Sequence, residues 1–145
     1  MSTALEPSHA SSMGREQYRA IPRSRAVSTG YISDVQDRNQ WEHCFSKLSK
    51  IRSYEFDWND EEAEPLSQEV VSLAVAVAKT LRANHEPAPS GCIATDEGHV
   101  IFIWEDGVEY IEVEIDRYLF CTIRRIRPGS KRAESAEFRP FSRVY

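Results

Sequence analysis

The chain contains no apolar stretch that could cross a membrane. Its longest uncharged, strongly apolar run, residues 70–78, is about half the roughly 18 residues a spanning helix needs. Residues 1–19 have neither an apolar core nor an early basic cluster, so no secretory signal is read there and the expected location is the cytoplasm. Cysteine is scarce. Cys44, Cys92 and Cys121 are odd in number and form no C-x-x-C pair, which fits buried thiols in a reducing compartment and not a disulfide framework. Glycine-built phosphate loops (G-x-G-x-x-G, Walker), H-E-x-x-H and G-x-S-x-G are all missing, as is any internal repeat, so no cofactor is expected.

What remains is a chain of 145 residues, 41% hydrophobic and 28% charged, with a mean hydropathy of −0.52. These values describe one globular domain. The net charge of −5 conceals an asymmetry: residues 35–116 hold eighteen acidic and six basic groups, whereas residues 117–145 hold two and eight. An acidic body disfavours nucleic acid and leaves the basic tail as its only candidate contact.

Residues 1–32 show no apolar periodicity and are expected to be a disordered N-terminal tail. From Ser33 the spacing Ser33…Gln36 has the form of a capping box. Trp41, Cys44, Phe45, Leu48 and Ile51 then recur at three and four residues, the stripe of an amphipathic helix. A second helix is predicted from Ser67, with Leu66 stapled onto Val71 and a broad stripe of Val70, Leu73, Ala74, Val77 and Leu81, ending near Asn84. Beyond Gly91 the period changes to two. Segments 92–95, 100–104, 108–115 and 118–126 read as four strands joined by short turns. In the third, Ile111, Val113 and Ile115 share a buried face, and Tyr110, Glu112 and Glu114 a wet one. The expected fold is α+β, of order ααββββ, with two helices on one face of a four-stranded antiparallel meander. That core spans residues 33–127, and 128–145 form a basic C-terminal tail in which Phe138, Phe141 and Tyr145 could dock or add a short edge strand.

Candidate chemistry is thin. Asp57, Asn59 and Glu61 alternate as calcium ligands do, yet Glu62 stands where an EF-hand needs glycine and Gln68 where it needs glutamate, so no metal is expected. Of the four histidines, His9 falls in the tail, His43 on the polar side of its helix and His85 in a linker; only His99 starts a strand, across the first hairpin from Cys92, and the cysteines all occupy apolar positions where thiols are inert. Glu112 and Glu114 read as a solvated strand face. The tail residues Arg124, Arg125, Arg127, Lys131, Arg132, Arg139 and Arg143, interleaved with aromatics, could track phosphates and stack on bases. The acidic body competes for the same arginines. Between Tyr54 and Pro65, Glu55, Asp57, Asp60, Glu61, Glu62 and Glu64 make a dense acidic loop in which Phe56 and Trp58 are expected to be anchors.

Phe56-Asp57-Trp58-Asn59 with Ala63-Glu64-Pro65, the alanine-rich helix after them, Val100 to Trp104-Glu105-Asp106-Gly107 and Tyr110-Ile111-Glu112-Val113-Glu114 together resemble small uncharacterised bacterial proteins. Their pattern is a W-D-G-x-x-A-x-P loop, a helix, a W-E-x-G hairpin turn and an I-E-V-E-I strand. The resemblance covers about residues 41–116, departs from the pattern at Asn59, Asp60 and Glu62, and implies a fold but no activity. The function expected is therefore non-catalytic: a protein-interaction module, inhibitor- or antitoxin-like, meeting an unknown basic protein partner through Asp57, Trp58, Asp60, Glu61, Glu62 and Glu64. The alternative is a nucleic-acid-binding accessory protein acting through the basic tail. No membrane partner is expected.

Overall fold

The computed structural model describes residues 34–130 and 132–138. The expected N-terminal tail, Ser33 of the capping box, and Lys131, Arg139, Phe141, Arg143 and Tyr145 lie outside the described residues.

Two helices, α1 (Asp34–Arg52) and α2 (Gln68–Ala83), precede five strands: β1 (Gly91–Ala94), β2 (Val100–Glu105), β3 (Tyr110–Ile115), β4 (Cys121–Ile126) and β5 (Glu134–Phe138). The strands form one antiparallel sheet in the order β1-β2-β3-β4-β5. In α1 the buried residues are Trp41, Cys44, Leu48 and Ile51, four of the five positions in the stripe read from the sequence; the fifth, Phe45, is half-buried against the core. In α2 Ser67 is the N-cap, its hydroxyl accepting from the Val70 N–H at 3.2 Å. Leu66 and Val71 are both buried, as a hydrophobic staple requires.

The core lies between the helices and one sheet face. Val70, Ala74, Val77 and Leu81 of α2 and the α1 stripe form a single cluster with Val100, Phe102, Trp104, Ile111, Val113, Ile115, Cys121 and Ile123. Each large aliphatic or aromatic side chain removed from water there stabilises the fold by roughly 1.5–3 kcal/mol. No helix among the described residues is long and apolar enough to cross a membrane.

Two expectations need correction. The sheet has five strands, not four: β5 lies inside the segment read as tail, pairs with β4 from Cys121↔Phe138 to Arg125↔Glu134, and buries Phe138 against the core. The third and fourth strands also start later than the β-rich sequence suggests. Asp106 Oδ1 accepts from the N–H groups of Val108 and Glu109 at 2.8 and 3.0 Å, and Asp116 Oδ1 from those of Tyr118 and Phe120 at 2.8 and 3.1 Å. These aspartates hold turns that consume residues 106–109 and 116–120, with Leu119 at φ 70°.

Candidate functional site

The acidic loop between the helices is built around its backbone. The Asp57 N–H donates to Ala63 O at 2.7 Å, the Glu62 N–H to Asp57 Oδ1 at 2.7 Å, and Asn59 Oδ1 accepts from the N–H groups of Glu61 and Ala63 at 3.0 and 3.2 Å. Asp57, Asp60 and Glu62 all take positive φ, at 66°, 61° and 62°. Asp60 thus stands in the left-handed conformation that glycine adopts without strain. Asp57 and Asn59, the residues that suggested calcium ligation, spend side-chain oxygens on backbone amides inside the loop. Among the described residues no group of three or more His, Cys, Asp or Glu is placed to hold a metal.

One aromatic anchors this loop and one does not. Trp58 stacks on Tyr54 with ring centroids 4.7 Å apart, packs against the core, and donates its indole N–H to Glu64 O at 2.9 Å. Phe56, expected as a second anchor, is instead 56% exposed. Asp57 is held by Ala63 and Glu62 and Trp58 is turned inward, whereas Phe56, just before them, faces out. Glu55, Asp57, Asp60, Glu61, Glu62 and Glu64 are all exposed on the same loop.

A second polar constellation lies on the sheet face away from the helices. His99 Nδ1 and Glu114 Oε2 are 2.5 Å apart, and Arg124 bridges Glu114 Oε1 at 2.8 Å and Glu112 Oε2 at 2.7 Å. The Tyr110 hydroxyl donates to Glu112 Oε1 at 3.0 Å. The register places Arg124 directly opposite Glu112, and Glu114 one pair along on the same face. Sequence reasoning took Glu112 and Glu114 as solvated; they are half-buried because a cation and a histidine satisfy them. Burial works to raise the Glu114 pKa, but the hydrogen bonds from His99 and Arg124 and the charge of Arg124 outweigh it and hold the carboxyl below its ordinary value. Burial, helped by the hydrogen bond to Glu112, pushes the Tyr110 phenol up to about 12.

The cysteines are all buried and free. Contact with the Cys44 thiol and burial push the Cys92 thiol up, and burial with the charge of Asp116 does the same to Cys121. Cys92 faces the core with Phe102, its register partner. His99 bonds Glu114 on the other face of the sheet. A Cys92–His99 nucleophile pair is therefore separated by the sheet itself. His43 is exposed on α1, and His85 follows the C-cap of α2.

Three of the tail arginines within the described residues, Arg124, Arg125 and Arg127, approach carboxylates of their own chain. Arg124 has the two glutamates above, Arg125 and Arg127 approach Glu109, and Arg127 also approaches Glu134. Compared with protein-family models, curated proteins and solved structures, the chain gives no match.

Proposed function

We propose that the protein is a non-catalytic interaction module that presents the 55–64 loop to a basic protein partner, as an inhibitor or antitoxin would. The observation that carries this reading is Phe56, exposed amid six exposed carboxylates on a backbone pinned by Asp57, Asn59 and Trp58. An exposed aromatic on a loop of one charge combines an apolar anchor with electrostatic steering. A loop already fixed in its bound shape loses little entropy on docking. The close pairing of Arg124 with Glu112 and Glu114 supports this reading over the nucleic-acid one, because that cation is engaged within the chain.

The test is a quantitative pull-down from native host extract with the parent, with Phe56→Ser and with a Glu61→Gln/Glu62→Gln double variant. Both variants alter exposed side chains and should keep the parental melting temperature. A basic protein retained by the parent, lost from both variants and released by moderate salt is the expected result. Equal recovery from all three baits would refute the loop as the contact.

A further inference from the structure

We propose that the β4–β5 turn is a binding pocket for a phosphate monoester carried on an apolar or aromatic group. A pocket of about 320 Å³ opens there, into which Arg125, Arg127 and Arg132 converge around the Gly129–Ser130 turn, with Glu134 on its wall. The three guanidiniums are poorly served by their own chain. A single oxygen, Glu109 Oε2, is shared between Arg125 Nε at 3.5 Å and Arg127 Nε at 3.6 Å, and Glu134 Oε2 lies 3.4 Å from Arg127. Arg125 Nε is buried and makes no hydrogen bond. Arg132 makes no side-chain ion pair among the described residues.

Arg124, on the opposite face of the same strand, supplies the internal standard: its contacts with Glu112 and Glu114 are 2.7 and 2.8 Å, the length of a satisfied charge-assisted bond. The turn pocket thus holds three forks of donors against one distant carboxylate on its wall, Glu134, with Glu109 outside it, and even with both carboxylates counted the three arginines leave one positive charge in surplus. A phosphate dianion, with three acceptor oxygens that guanidinium forks match bidentately, fits this arrangement. The approach is open. Gly129 takes φ +78°, and no atom lies within 4 Å of where a Cβ would stand.

The apolar half of the ligand is inferred from the neighbouring surface. A groove of about 230 Å³ adjoins the pocket, shares Arg127 and Pro128 with it, and is walled by Val108, 67% exposed, and Ile126, 42% exposed. A lone phosphate would leave that groove empty. A polynucleotide would have to run its successive phosphates past Glu105, Glu109 and Glu134, which rim the two depressions. A single terminal phosphate on a compact apolar body meets neither objection.

The experiment titrates the isotope-labelled full chain with phenyl phosphate and follows backbone amide shifts, with inorganic phosphate, phenol and single-stranded oligothymidylate as separate arms. Phenyl phosphate should give saturable shifts at Gly129, Ser130 and Val108, with an affinity roughly tenfold or more above inorganic phosphate and no response to phenol. Arg132→Gln, at an exposed position, and Arg127→Gln should each weaken binding about tenfold while leaving the rest of the spectrum in place. Three results each overturn the proposal: no saturable shift with phenyl phosphate, parental affinity in both variants, or tighter binding of oligothymidylate than of phenyl phosphate.

Discussion

Trp41 of α1 and Trp104 of β2 donate their indole N–H groups to consecutive carbonyls, Glu86 O at 3.3 Å and Pro87 O at 2.8 Å. With Asp37 Oδ1 accepting from the Ala88 N–H at 3.0 Å, they turn the connection between α2 and β1 into a buried structural element. Its proline-rich sequence supplies few donors of its own, so the surrounding elements provide the polar partners. Trp104→Phe keeps most of the packing and leaves the Pro87 carbonyl unmatched, which should cost about 1–2 kcal/mol in urea unfolding. Trp104→Ala adds a cavity and should cost about 3–5 kcal/mol. Equal losses from the two substitutions would remove the hydrogen bond from this account.

Helix α2 ends in a Schellman arrangement. The Glu86 N–H donates to Leu81 O at 3.0 Å and the His85 N–H to Arg82 O at 3.0 Å, with His85 at φ 61°. Glycine is the usual occupant of that left-handed site. His85→Gly should therefore raise stability by about 0.5–1 kcal/mol. A lower melting temperature for this variant would show that the His85 side chain contributes more than the strain it carries.

The acidic loop offers a paired comparison. Trp58→Ala removes the stack on Tyr54 and the bond to Glu64 O, and should destabilise by about 2–3 kcal/mol, less than a fully buried tryptophan because Trp58 is only half-buried. Phe56→Ala should stay within about 0.5 kcal/mol of the parent. Calorimetry of both variants decides whether the two aromatics have the distinct roles assigned to them.

The outer-face network predicts an acid limb to stability. Because the folded Glu114 carboxyl is held below its ordinary value of 4.5, its contribution is fully present above that value and is lost as pH falls through the lowered one. Glu114→Gln should reduce stability at neutral pH and make its decline toward about pH 3 shallower. Parallel pH profiles for parent and variant would contradict the arrangement. At the alkaline end, Tyr110 stays protonated in the fold up to about 12 while the unfolded phenol ionises near 10, so its contribution is lost as pH rises between those values. Tyr110→Phe should lack that loss.

The fifth strand makes a prediction about where the domain stops. A chain ending at residue 127 would strip β5 from β4 and uncover Cys121 and Ile123, and it should melt well below one ending at 138. Phe138→Ala in the full chain should cost about 3 kcal/mol, read from urea midpoints. Equal melting of the two truncated chains would place β5 outside the cooperative unit.

Local chemistry alone determined the helices and the inner sheet face. The threefold and fourfold recurrence of Trp41, Cys44, Leu48 and Ile51, the Ser67 cap and the alternation of Ile111, Val113 and Ile115 each follow from neighbours within a few residues, so periodicity reveals them. The run Glu134–Phe138 has no such signal: it lacks β-branched residues, and it becomes a strand because β4 offers an unpaired edge and the core a place for Phe138. The same holds for the site. The sequence displays six carboxylates between the helices. Which aromatic among them turns inward depends on the hydrogen bonds of Asp57, Asn59 and Trp58, and the joining of His99, Glu114, Arg124, Glu112 and Tyr110 into one chain depends on strand register. Contacts between residues distant in sequence arise only when the chain closes on itself, and so tertiary structure decided them.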